Sequence, residues 1–191
     1  MSEAVRVLRA RDHRRMAWAN GGGTTYEVAT WPAGVGLDAF DWRISLAHIE
    51  ADGPFSILPG IDRTLVLVEG DAMVLAVDGV TVPLARHEVA CFAGEQTVAC
   101  TLTHGATRDL SVMTRRGRCA ASVEVVRLGA DELALAPEGA AVVAVVCLDG
   151  LVRVDDETLA PRDVGFVGAA TSASGGGTVA VVHLRPWSAG A

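Results

Sequence analysis

The 191-residue chain contains no lysine; all 16 of its basic residues are arginine. Schiff-base and pyridoxal-phosphate enzymes need a lysine amine, so both classes are excluded. A Walker phosphate loop, which needs its Gly-Lys pair, is excluded too. Every cationic contact must be a guanidinium, which stays charged and suits two-pronged recognition of carboxylates. Basic charge is also outnumbered: 16 basic against 23 acidic residues give a net −7, and the pI is about 5.1. That balance speaks against broad nucleic-acid or anionic-membrane binding, which rests on basic surface. The clusters Arg6, Arg9, Arg11, Arg14, Arg15 and Arg115, Arg116, Arg118 read as solvated faces or strand ends.

Other absences narrow the chemistry further. No two of His13, His48, His87, His104 and His183 stand at H-x-H or H-x-x-x-H spacing. Apart from the His87-Glu88 neighbours, none sits beside a clustered carboxylate set, so neither a bound metal nor another cofactor is expected. No G-x-S-x-G nucleophile elbow occurs. Cys91, Cys100, Cys119 and Cys147 form no C-x-x-C pair and are expected to be reduced, buried thiols. The longest apolar run, Ala140 to Leu148, falls far short of the ~20 residues of a spanning helix. The Arg-rich N-terminus is unlike a secretory leader, so a cytoplasmic protein is expected.

Hydrophobic residues make up 50% of the chain, and mean hydropathy is +0.34. That suffices for a real core. Strand signals dominate. Thr64–Val68 ends at Glu69-Gly70, and Met73–Val77 ends at Asp78-Gly79, a two-residue hairpin signal followed by Val80–Leu84. The best helix candidate, Ala130 to Leu135, is one or two turns long. The chain also repeats itself. Leu65–Gly70, a hairpin and Leu84–Val89 are echoed by Val145–Gly150, a shorter hairpin and Leu159–Val164. Thr97–Leu102 and Thr178–Leu184 continue the two copies. The expectation is an all-β chain of two small packed β-barrels, residues 1–117 and 118–191. Polar, aromatic and glycine-rich motifs crowd the first half, so a ligand site belongs there, and the second half reads as structural.

Three segments carry candidate chemistry, with a fourth behind them. Trp18 to Val28 contains Gly21-Gly22-Gly23, either an anion-binding nest or a tight turn into a strand. In Phe40 to Ala47, period two puts Trp42, Ile44 and Leu46 on one face and Arg43, Ser45 and Ala47 on the other. One guanidinium beside two small residues describes a pocket wall, or a solvent face with a surface arginine. In Asp52 to Arg63, two turns bracket Phe55; Arg63 either pairs locally with Asp62 or opens the next strand pointing inward. Asp109, in Thr107–Arg116, orients an arginine or caps a turn.

W-x-N-G-G-G-T-x-x-E (Trp18 to Glu27), F-x-W-R-x-S-x-A (Phe40 to Ala47) and G-P-F-S-x-x-P-G-x-D-R (Gly53 to Arg63) occur in that order. With them the chain resembles the HutD/Ves family from Trp18 through Arg116. The resemblance implies a bicupin fold and a place in bacterial histidine utilisation. It implies a sensor or modulator that binds a small acid such as urocanate or N-formylglutamate, without the metal-binding histidines of other cupins. The pattern departs at Ala19, where a basic residue is usual, and at Leu110-Ser111, where Phe-Asn is usual; the latter implies a reduced polar role at 111.

The reading that follows is metal-independent binding of a small carboxylate, with no catalytic residue assigned. Arg43 is the first choice for the carboxylate partner and Arg63 a second cation. Ser45 leaves space beside them. Asn20, the Gly21, Gly22 and Gly23 amides and Thr24 supply neutral donors, Trp18 and Phe55 apolar walls, and Glu27 or Asp109 orients the arginines. Two alternatives stand beside it: a metal-free isomerase or hydrolase with Glu27 or Asp109 as base, and an interaction module without a ligand. Val-rich edge strands are compatible with a homodimer.

Overall fold

The computed structural model describes residues 5–137 and 142–187. The chain divides into two compact units: Arg14–Ala120, and the segment through His13 together with everything from Ala121. In chain order the strands are β1 (Val5–Leu8), β2 (Arg14–Ala17), β3 (Gly23–Trp31), β4 (Trp42–Ile49), β5 (Gly53–Pro54), β6 (Ile61–Glu69) and β7 (Ala72–Val77). Next come β8 (Val80–Ala85), β9 (Val89–Ala93), β10 (Val98–Leu102), β11 (Thr107–Arg115), β12 (Cys119–Arg127) and β13 (Leu133–Leu135). The last are β14 (Val142–Asp149), β15 (Val152–Val154), β16 (Glu157–Leu159), β17 (Val164–Val167), β18 (Thr171–Gly175) and β19 (Thr178–Pro186).

Each unit pairs as two sheets. In Arg14–Ala120 the orders are β2-β3-β4-β11-β6-β9 and β5-β10-β7-β8. Leu65 and Leu67 of β6, Met73 and Leu75 of β7, Leu84 of β8 and Val98 of β10 share one core, so the two sheets face each other. In the second unit the orders are β1-β17-β14-β19-β12 and β13-β18-β15-β16. Val143, Val145, Val152, Val154, Val179 and Val181 build the corresponding core.

The repeat extends well beyond the sequence matches. Strands β4 to β11 and β12 to β19 follow one plan, since β4-β11-β6-β9 corresponds to β12-β19-β14-β17 and β5-β10-β7-β8 to β13-β18-β15-β16. Backbone details coincide as well. His87 and Arg162 both take positive φ, 69° and 75°. The His87 amide donates to the Leu67 carbonyl and the Arg162 amide to the Cys147 carbonyl, each at 2.7 Å. The Asp78-Gly79 hairpin forms as its sequence requires, with φ of 48° and 82°.

Three expectations are corrected. Ala130–Leu135 contains no helix: Leu133, Ala134 and Leu135 are β13, paired with β18, because alternation lets Leu135 reach the core. The first strand does not belong with residues 1–117; Val5–Leu8 pairs antiparallel with Val164–Val167 of β17 and extends that sheet. Of the four free cysteines, Cys100, Cys119 and Cys147 are buried, but Cys91 is exposed. It lies on β9, at the edge of its sheet, with its side chain on the outer face. The start of the apolar run, Ala140-Ala141, lies outside the described residues. No helix among the described residues is long and apolar enough to cross a membrane.

Candidate functional site

In the unit Arg14–Ala120, β4, β6 and β11 lie side by side and direct alternate residues toward the facing sheet. Their register aligns Ala47 with Asp109, Ser45 with Ser111 and Arg43 with Met113. On the other side of β11, Arg63 also lies opposite Met113. Small residues at 45, 47 and 111 leave a hollow, and longer side chains close around it. The result is a cavity of about 430 Å³ lined by Arg43, Ser45, Ala47, Arg63, Asp109, Ser111 and Met113. Trp18, Ala19, Asn20, Thr25, Phe55 and Leu58 are among the residues that complete its walls. Both guanidiniums therefore face one space. The opposite face of β4 carries Ile44 and Leu46, which are buried as well.

The two arginines differ electrostatically. The Arg43 Nε donates to the Glu27 carboxylate at 2.8 Å, with side-chain exposures of only 6% and 12%. Register explains this, because β3 places Glu27 opposite Ser45. Arg43 reaches Ser45 Oγ more weakly, at 3.4 Å. Its charge is matched before any ligand arrives. Among the described residues no carboxylate lies within ion-pair distance of Arg63, and Asp62 binds Arg116 instead. The Arg63 guanidinium lies over the paired rings of Phe55 and Phe92, 5.1 and 5.0 Å from their centroids. One nitrogen, Nη1, donates to the Ser56 carbonyl at 3.3 Å. Nε is buried without a partner. Burial lowers the Arg63 pKa, against the pull of Asp109 and with the push of Arg43, but a guanidinium remains charged.

Asp109 is fully enclosed. Burial pushes its carboxyl up to about 7, although Arg63, a backbone hydrogen bond from Ala47 and Arg108 pull it down. One oxygen, Oδ1, has no partner, and neither has Ser111 Oγ. A buried unpartnered polar group is costly. Here three such groups, Arg63 Nε, Asp109 Oδ1 and Ser111 Oγ, belong to residues lining one cavity.

Trp18, Asn20, Arg43, Ser45, Phe55, Arg63 and Asp109 line the cavity as a set, whereas Gly21, Gly22, Gly23, Thr24 and Glu27 are not among its lining residues. The glycine amides are used by the turn: Gly21 N–H donates to the Trp18 carbonyl and Gly22 N–H to Asn20 Oδ1. Gly23 is required because a Cβ there would strike the His48 carbonyl and the Trp18 ring. The segment is a turn that seats Trp18, whose indole N–H donates to Thr25 Oγ1 at 2.8 Å. Thr24 is buried on the other face of β3, opposite His48. Glu27 pairs with Arg43 without lining the cavity itself. Ser111, Met113, Thr25 and Leu58 were not anticipated. Alternation along β11 from Asp109 is the signal that reaches Ser111 and Met113. Among the described residues, no group of three His, Cys, Asp or Glu side chains is placed to hold a metal ion.

An all-β chain of two repeated two-sheet units, one of them hollowed by a polar-floored cavity, has a cupin-like fold. In fold alone it matches the cupin 2 conserved barrel domain protein from Leptotrichia buccalis, at TM-score 0.58 and 8% identity over 95% of this chain and 96% of that one. Within that class the chain belongs to the HutD family, whose model matches residues 10–180. The structure of HutD from Pseudomonas fluorescens SBW25, determined in a formate condition, superposes at TM-score 0.85 with 32% identity, covering 97% of this chain and 100% of that one. An uncharacterised 21.2 kDa Pseudomonas putida protein from the hutC 3′ region is 44% identical over 110 residues, which span 57% of each chain.

Proposed function

We propose that the cavity binds a small carboxylated metabolite and that Arg63, rather than Arg43, takes its carboxylate. The observation that carries this reading is the state of Arg63: a buried, charged guanidinium lining a cavity, its Nε without a hydrogen-bond partner. With Nη1 turned to Ser56, Nε and Nη2 form the edge that meets both oxygens of a carboxylate. Phe55 and Trp18 are the flat apolar walls, and Arg43, held by Glu27, adds positive potential without being the primary partner. A cavity of 430 Å³ suits a metabolite of urocanate or N-formylglutamate size. The HutD family is linked to histidine utilisation, and we read the chain as a sensor or modulator in that setting, with the facing sheets as walls of two cupin barrels.

The test is calorimetric titration of the chain with histidine-pathway acids, alongside the Arg63→Ala variant. An arginine–carboxylate hydrogen bond is worth about 1.5–3 kcal/mol net, so Arg63→Ala is expected to weaken binding roughly 10- to 150-fold. Unchanged affinity in that variant, or no saturable binding by the unaltered chain, refutes the assignment. A second reading has one observation in its favour. A carboxyl held near pH 7 inside a cavity, as Asp109 is, suits a general base. Product formed from a bound acid by chelator-treated protein and lost in Asp109→Asn distinguishes that metal-free isomerase or hydrolase from a sensor.

A further inference from the structure

The carboxylate reading leaves Asp109 unexplained. It lies in the same cavity as Arg63 without touching it. Met113, the register partner of Arg63, is four residues from Asp109 along β11. At about 3.4 Å per residue the two backbones are roughly 14 Å apart along the strand. The cavity, lined there by Ser111, Phe55 and Met113, is room for the body of a ligand. With Arg43 cancelled by Glu27, the cavity wall carries an unmatched cation and a carboxyl group whose Oδ1 has no partner, on register positions four residues apart.

We infer that Asp109 is a specificity-determining residue, which accepts a hydrogen bond from an N–H group at the end of the ligand opposite its carboxylate. This rests on the carboxylate reading above. The selected class is a small flat or extended acid bearing an amide or azole N–H. An acid of the same shape with only a lone pair at that place sets an acceptor against an acceptor in a dry site, and leaves Asp109 unsatisfied. Such a mismatch is strongly discriminating, whereas apolar shape alone is not.

The probes are 3-(pyrrol-2-yl)acrylate and 3-(furan-2-yl)acrylate, which differ by N–H against O. Titration calorimetry of the full chain at pH 8, where Asp109 is ionised, is expected to show the pyrrole acid binding at least about 10-fold tighter. In Asp109→Asn the carboxamide can present either N–H or C=O, and the ratio is expected to fall to about 3-fold or less. Ser111→Ala should preserve most of the wild-type ratio. Should Asp109→Asn not fold, the unaltered chain still provides the test at pH 5.5. There a protonated Asp109 donates to the furan oxygen and the ratio shrinks. The charged and titratable groups around Asp109 are Arg63 of β6, Arg43 of β4, Arg108 of its own strand and the Cys100 thiol of β10, itself pushed up to about 11 by burial. Guanidiniums stay charged in proteins, and the Cys100 thiol, raised by burial, stays neutral at both pH values. Equal affinity of the unaltered chain for both acids overturns the selection by Asp109 and leaves the carboxylate site standing. Binding of neither acid overturns the carboxylate reading itself. A ratio undiminished in Asp109→Asn, or at pH 5.5, removes the role from Asp109.

Discussion

A lysine-free chain must make guanidiniums do several different jobs, and the environments of individual arginines show how. Arg115 donates to the carbonyls of Phe40 and Asp38 at 2.8 Å. Arg116 holds Glu95 and Asp62 at the surface. Arg43 is the enclosed case. Removing it strands the Glu27 carboxylate, whose only other cation among the described residues, Arg14, is 3.6 Å away and 69% exposed. Arg43→Ala is therefore expected to cost about 3–5 kcal/mol, because a charge remains nearly buried without its partner. Replacing both members, Arg43→Met with Glu27→Leu, should recover most of that loss. Denaturant midpoints of the two single variants and the double variant measure this coupling, and simple additivity would show that the pair is not a unit. At this scale alternation along β4 was enough to place Arg43, Ser45 and Ala47 on one wall. The ranking of the two arginines was not legible, because it depends on the β3–β4 register that brings Glu27 to Arg43 and on Asp62 turning away to Arg116. The glycine run misled for a related reason. Sequence shows that backbone amides are free to approach a ligand, but not that the turn has already consumed them.

At the scale of elements, Asp163 shows how a strand is recruited across a long stretch of sequence. Its carboxylate accepts from the Ala10 amide at 2.8 Å, the Ala160 amide at 3.2 Å and Arg9 at 3.1 Å. It thereby fastens the segment that follows β1 to the loop that precedes β17. Burial pushes this carboxyl up, but the Ala10 amide, Arg9 and the Ala160 amide outweigh it and hold it below its usual range. A depressed folded-state pKa stabilises above the unfolded value, near 4, and that contribution is lost as pH falls through the folded value. Asp163→Ala is expected to cost about 2–4 kcal/mol at pH 7. The deficit relative to the unaltered chain should shrink on acidification below pH 4. A deficit that is the same at pH 3 and pH 7 would mean that the carboxylate charge is not what fastens β1. In the first copy Glu88 accepts from the Ala85 amide much as Asp163 accepts from Ala160. The hairpins and the repeat were legible because their signals are local: Asp-Gly turns, period-two alternation and a recurring Leu-Ala-x-x-acid spacing. The partner of β1 was not, since antiparallel pairing at a separation of about 160 residues leaves no mark in local pattern. The short β13 was misread because three residues carry too little period to separate strand from helical turn.

For the whole molecule, the two copies share a plan but not a chemistry. All residues that line the cavity fall within Arg14–Ala120. At the repeat position of Arg63 in the other unit the strand is continuous aliphatic sequence: β14 reads Val142-Val143-Ala144-Val145-Val146 and is buried from Val143 onward. A fold duplicated in this way can keep a polar-lined site between the sheets of one copy and fill the core of the other with aliphatic side chains. The consequence is testable by amide hydrogen exchange of the full chain with and without a saturating acid. At short exchange times, where local openings dominate, added protection is expected in β4, β6 and β11, while β14, β17 and β19 are little changed. At long times, where exchange proceeds through global unfolding, a ligand at 100 times its dissociation constant adds about 2.7 kcal/mol of protection to the slowest amides. Early protection of equal size in β14 and β19 would mean that the ligand engages the second copy as well, and would refute the division of labour between a unit with a polar-lined site and one with an aliphatic core. Early protection confined to β4, β6 and β11 but retained in Arg63→Ala would keep that division and move the carboxylate to another group on the cavity wall, with Arg43 the next to vary.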